Sequence, residues 1–148
     1  MTLRSIDIEI IHFFRRISEP LGRFGLFVVF FWFGILKVFN MSPASPMVQD
    51  LFQHTISFMP FNVFLTFFGL FEMLIGIMFL IKGYEREVIP LLFVHMFTTF
   101  MPLYMIPQET WSAFLVPTME GQYIIKNLLL IAVAVGIAAH LHPLPKRA

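Results

Sequence analysis

The chain has 148 residues, 58% of them hydrophobic and only 13% charged, with a formal net charge of +1 and no cysteine. So apolar a composition excludes an ordinary water-soluble domain, and so small a net charge leaves no electrostatic footprint for nucleic acid. The absence of cysteine excludes disulfides, thiolate metal sites and thiol relays.

At the start, Leu3, Ile6, Ile10, Phe13 or Phe14, and Ile17 recur at three- and four-residue steps, with Arg4, Asp7, His12, Arg15 and Glu19 on the other side. This is the pattern of an amphipathic helix lying in a membrane interface, and residues 1–19 are assigned to it. Glu19 and Pro20 are expected to turn the chain, because proline suits a first helical turn and breaks an interior one. The first twenty residues lack the basic start, apolar core and small-residue cleavage site of a secretory signal, so the first span itself is expected to direct insertion.

Four apolar stretches follow, near 21–39, 61–81, 88–107 and 122–140. Each supplies the roughly 20 helical residues that cross a hydrocarbon core of ~30 Å. They leave room for short loops only. Residues 1–148 therefore read as a single domain, an all-α membrane protein built as a four-transmembrane-helix bundle with the lipid bilayer as its solvent.

Each span carries a few polar exceptions. Lys37 lies near the end of the first. The loop at 42–61 is not uniformly polar: Val48, Leu51, Phe52, Ile56 and Phe58 form an apolar face between Pro46 and Pro60, which predicts a short helix against the mouth of the bundle. Glu72 lies about eleven residues into the second span, roughly 16 Å deep at 1.5 Å per residue. An ionised carboxylate there is costly, so Glu72 is expected to face the bundle interior and either pair with a cation or stay protonated. Gly69 and Gly76 share its helical face and allow a neighbouring helix to come close.

On the third span His95, Thr98, Thr99 and Pro102 share one face. Local bonding to helix carbonyls accounts for the threonines, and Pro102 leaves the carbonyl of Thr98 without its usual donor. A packing role is the simpler reading of His95, while Thr99 falls at about the depth of Glu72. The next loop holds Pro107, Glu109, Trp111, Pro117 and Glu120, with Trp111, Tyr104 and Tyr123 forming an interfacial aromatic belt. The last span brings Lys126 and Asn127. Lys37 and Lys126 each either snorkel to the boundary or join Glu72 in a shared network.

Arg4, Arg15, Arg16 and Arg23 precede or begin the first span, Lys82 and Arg86 lie between the second and third, and Lys146 and Arg147 follow the fourth. The connections at 40–60 and 108–121 contain neither lysine nor arginine. The positive-inside rule then predicts both termini and the middle loop on the cytoplasmic side. His95 is the only histidine well inside a span, since His12, His54, His140 and His142 lie at ends or outside, which disfavours haem. No HExxH pair, phosphate loop or dinucleotide fingerprint occurs, so no motif supports catalysis.

WFGILK at 32–37, FEMLIGIMFLI at 71–81, TTFMPLYMIPQETW at 98–111 and EGQYIIKN at 120–127 together resemble the DoxX-like superfamily, closest to its YkgB-type branch of small bacterial inner-membrane proteins. The similarity spans nearly the whole transmembrane part, although the first outer loop is shorter than in that branch. It implies a four-helix membrane fold and roles in quinone-linked oxidation, oxidative or reactive-chlorine stress, or assembly of other membrane proteins. The leading expectation is an accessory inner-membrane protein that binds a lipophilic redox molecule such as a quinone. Lys37 and Lys126 would meet an oxygen-bearing headgroup, with Glu72, Thr99 and Asn127 close by and His95 and Thr98 as secondary candidates. A structural clasp in an assembly factor or oxidoreductase subunit is the alternative, and a small-solute or proton pathway through a homo-oligomer is the weaker third.

Overall fold

The computed structural model describes residues 3–56 and 58–141. Lys146, Arg147 and His142, which entered the reading of charge and histidine above, lie outside the described residues. The chain folds as an all-α four-helix membrane protein. Its long helices are α1 (Leu3–Val38), α3 (Phe61–Leu80), α4 (Glu85–Phe100) and α7 (Met119–Ala138), with α2 (Ser45–Thr55), α5 (Pro102–Met105) and α6 (Pro107–Thr110) between them. Each of the four is long and apolar enough to cross a bilayer, α4 doing so together with α5 as far as Met105.

The expected interfacial helix is not a separate element. α1 runs through Pro20 as one helix of 36 residues, about 54 Å long. A single interior proline removes one backbone donor, and the apolar segment beyond it keeps helical dihedrals regardless. Residues on both sides of Pro20 therefore belong to one rod.

α1 and α3 pack most intimately, because glycine lets their backbones touch. A Cβ on Gly69 would stand 2.6 Å from the carbonyl oxygen of Gly34, and one on Gly34 would stand 2.5 Å from that of Gly69. Gly76 repeats the contact lower down, where a Cβ would lie 2.9 Å from the backbone nitrogen of Phe31. Below this crossing Leu26 and Phe30 of α1, Ile75 and Phe79 of α3, Val88, Leu92 and Met96 of α4, and Ala134 and Ile137 of α7 form the buried core. The outward surface, including Trp32, Phe67, Phe97 and Leu129, is apolar and exposed, as lipid-facing residues must be.

One end of the bundle is closed by loop structure. α2 forms at the place expected and buries Phe52 against Phe61 and Phe64, with ring centroids 5.6 and 4.8 Å apart. Phe58, expected on the same face, is exposed instead, because α2 ends at Thr55 and the chain turns toward Pro60. After α6 comes a small antiparallel hairpin, β1 (Trp111–Ala113) with β2 (Val116–Pro117), its turn carrying Leu115 at φ +57°. Trp111 Nε1 donates to the carbonyl of Leu103 at 3.1 Å, and Tyr104 and Tyr123 are exposed. Thr118 caps α7 by accepting from the backbone nitrogen of Gly121 at 3.1 Å. We call this the hairpin end and the opposite one the arginine end.

Candidate functional site

Close approach at Gly34 and Gly69 brings Lys37 of α1 against Glu72, one turn along α3. Glu72 stands eleven residues after Phe61, about 16 Å into the helix. Its carboxylate is divided between two partners from two other spans. Lys37 Nζ donates to Oε2 at 2.6 Å, and His95 Nε2 of α4 lies 2.8 Å from Oε1. All three residues are at most 7% exposed. Low dielectric strengthens such contacts and makes an unpaired charge costly, so an ionised glutamate at this depth needs the pairing.

The surroundings are aromatic. Phe68 stacks on the His95 imidazole at 5.1 Å with an interplanar angle of 8°, and Phe30 meets the ring edge-on at 5.3 Å. Lys37 Nζ sits 5.6 Å from the centroid of Phe68, a cation–π contact that adds to the ion pair. Phe68 thus touches both ammonium and imidazole.

The far side of His95 is hydrogen-bonded to threonine. Thr99 Oγ1 lies 3.2 Å from His95 Nδ1 and 3.0 Å from the His95 carbonyl oxygen, while Thr98 Oγ1 donates to that same carbonyl at 2.7 Å. With the imidazole neutral and Nε2–H donating to Glu72, the Thr99 hydroxyl donates to Nδ1, and Lys37 with Glu72 sums to zero charge. With both ring nitrogens protonated, Thr99 accepts from Nδ1–H and turns its own proton to the carbonyl. Thr99 satisfies either state by rotating one hydroxyl. The heavy-atom contacts along Glu72, His95 and Thr99 therefore have a donor and an acceptor in either arrangement.

The sequence candidates divide accordingly. Lys37, Glu72, His95 and Thr99 converge, with Thr98 bonded to the helix backbone beside them. Met101 N donates to the Thr98 carbonyl at 3.3 Å, replacing the donor that Pro102 lacks. Lys126 does not join. It is exposed on α7 with Nζ 4.7 Å from the centroid of Tyr123, and Asn127 is half-buried beside it, outside the network. Of the two readings open for Lys126, the structure shows the one outside a shared network with Lys37 and Glu72, and His95 holds the second carboxylate oxygen. Lys126 lies close enough to its helix start for the long stem to reach the interface, so its charge stays solvated.

Near Lys37, at the hairpin end, a cleft of about 360 Å³ is lined by Asn40, Ser45, Gln49 and Asn62 together with Pro46, Pro60 and Phe61. Asn40 is three residues beyond Lys37 on the chain. Ser45 Oγ is buried in this wall with no hydrogen-bond partner among the described residues.

A second ionic cluster was not foreseen. Arg23, 6% exposed, donates through Nε to Glu19 at 2.9 Å, through Nη1 to the carbonyl of Phe79 at 3.2 Å, and through Nη2 to Glu85. The other oxygen of Glu85 accepts from the backbone nitrogen of Gly83 at 2.9 Å. Gly83 has φ +103°, a conformation that glycine adopts without the Cβ penalty, and it makes the α3–α4 turn. Arg23 thus caps an orphan carbonyl at the end of α3 while fastening α1 to the start of α4. The available signal was an arginine just inside an apolar stretch with a glutamate four residues earlier, but that pattern also fits a boundary charge.

Among the described residues no three histidine, aspartate or glutamate side chains gather as a metal site. Compared with family models, curated proteins and solved structures, the chain matches none.

Proposed function

We propose that this multi-pass membrane protein is a DoxX-like accessory protein of the bacterial inner membrane, with both termini cytoplasmic, that binds the oxygen-bearing headgroup of a lipophilic redox molecule such as a quinone. The observation that carries the reading is the Glu72 carboxylate shared between Lys37 and His95 in the bundle interior. Lys37 supplies a hydrogen-bond donor and positive charge for a ligand oxygen, and the Glu72, His95 and Thr99 chain supplies a place to keep the accompanying proton. Quinone reduction consumes two electrons and two protons. The electrons belong to an oxidoreductase partner, so this chain acts in binding and proton supply, in redox-stress defence or beside such an enzyme.

Gentle detergent extraction from native membranes, followed by mass spectrometry of bound small molecules and co-purified proteins, tests this directly. The expected result is a stoichiometric lipophilic redox compound that is lost in Lys37→Met. Full retention of that compound in both Lys37→Met and Glu72→Gln would overturn the assignment of the site.

A second reading has its own observation. Both oxygens of Glu72 and both nitrogens of His95 already have partners within the protein, as a structural clasp requires. On that reading the chain is an assembly factor or accessory subunit that presents its surface to another membrane protein. A preparation with no small molecule but a constant protein partner would favour it.

A further inference from the structure

α1 and α7 leave a trough of about 510 Å³ open to the outside of the bundle. Gly22 and Gly25 of α1 and Gly136 of α7 form its floor, with Val29 and Leu130 at the far end. Its polar groups, Ser18, Glu19 and His140, gather at the arginine end. From Ser18 to Val29 the helix advances about 16 Å, half of a ~30 Å hydrocarbon core. The trough thus has the depth of one leaflet, apolar inward and polar at its boundary.

The charges at that boundary select the lipid. Arg15 lies seven residues before Gly22 and fourteen before Val29, which puts all three on one line along α1, with Arg15 about 4.5 Å beyond Ser18. Arg15 is exposed, as is its neighbour Arg16. Glu19 is the acidic group in the trough wall, and it is held by Arg23 at 2.9 Å. His140 donates from Nδ1 to the carbonyl of Gly136 at 2.8 Å, which leaves Nε2 as its second polar atom at the same end.

We infer that the trough is a binding site for an anionic phospholipid of the leaflet at the arginine end. One acyl chain lies along Gly22, Gly25 and Gly136, and the phosphate group lies at Arg15 beside Ser18 and His140. The site is separate from the Lys37, Glu72 and His95 network and does not depend on the function proposed for it.

The glycines make a clean test. A Cβ on Gly25 or on Gly136 meets no atom within 4 Å, so Gly25→Leu and Gly136→Leu start their side chains in the open space of the trough. The purified protein is titrated with phosphatidylglycerol and with phosphatidylcholine of identical acyl chains, and retained lipid is counted by native mass spectrometry. The wild-type chain is expected to retain phosphatidylglycerol about fivefold better, the factor that one basic residue contributes at an anionic lipid surface. Arg15→Gln is expected to abolish the preference while keeping acyl binding, and either leucine variant to lose retention of both lipids with an unchanged melting temperature. Equal retention of the two lipids by the wild-type chain overturns the proposal. So does full phosphatidylglycerol retention in both leucine variants. An equal loss of preference in Arg16→Gln, whose exposed charge lies about 100° around the helix from Arg15, would reduce the effect to non-specific attraction and overturn it as well.

Discussion

Two buried ionic clusters hang on the same helix, fourteen residues or about 21 Å apart, and they solve different problems. Arg23 sits where α3 ends and α4 begins. Its partners are two carboxylates and a backbone carbonyl, and Glu19 remains 31% exposed at the edge of the cluster. Glu72 sits in the middle of α3, where water does not reach, and takes its two partners from two other spans. At the boundary, one planar guanidinium with several donors fastens a turn. In the interior, a carboxylate is retained only with a full set of partners, here an ammonium and an imidazole. The boundary cluster fastens a turn, whereas the central one ties three spans together at one carboxylate.

Substitutions sharpen that contrast. Glu72→Ala leaves the Lys37 ammonium uncompensated and His95 Nε2 unpaired, so it is expected to cost about 3–5 kcal/mol, seen as the largest fall in thermal midpoint in mild detergent. Pairing it with Lys37→Met is expected to recover much of that loss, since the stranded charge is gone. A double variant no more stable than Glu72→Ala alone would contradict the pairing. Arg23→Lys keeps the charge but cannot serve three acceptors with the same geometry. Its expected cost is about 1.5–3 kcal/mol, and a larger loss than in Glu72→Ala would invert the comparison. Gly69→Ala forces a methyl group toward the Gly34 carbonyl and should cost about 1–3 kcal/mol, with weaker α1–α3 association measured by cross-linking. Lys126→Met is expected to stay within about 0.5 kcal/mol of the parent chain, because Lys126 lies outside both clusters.

The spans were legible because nothing but a bilayer accommodates such apolar runs: the second, third and fourth begin and end within a few residues of the observed helices, whereas the first ends with α1 but begins eighteen residues inside it. Lys37 and Glu72 stood out for the same reason, as charges where charge is costly. What hydropathy cannot supply is the rotation of one helix about its axis relative to the others. Lys37 and Lys126 look equivalent in sequence, yet only Lys37 is on the helix that meets α3 through glycine. His95 was visible but assigned to packing, since a lone histidine carries no sign of which carboxylate faces it. Arg23 was hidden by resemblance to an ordinary boundary charge. The hairpin was missed because strands of three and two residues are too short to establish a twofold alternation. The uninterrupted course of α1 through Pro20 runs against local propensity and reflects the helical preference of the residues on both sides.

That uninterrupted course makes α1 a shaft. The exposed stretch from Leu3 to about Ser18 projects past the core, and Arg23 and Lys37 are mounted further along the same rod. At 100° per residue, fourteen residues bring Lys37 to within about 40° of Arg23 around the axis, so one face of a single helix carries both cations. The residue count that seats Lys37 at Glu72 also seats Arg23 at Glu85, and one covalent rod sets the two clusters in register.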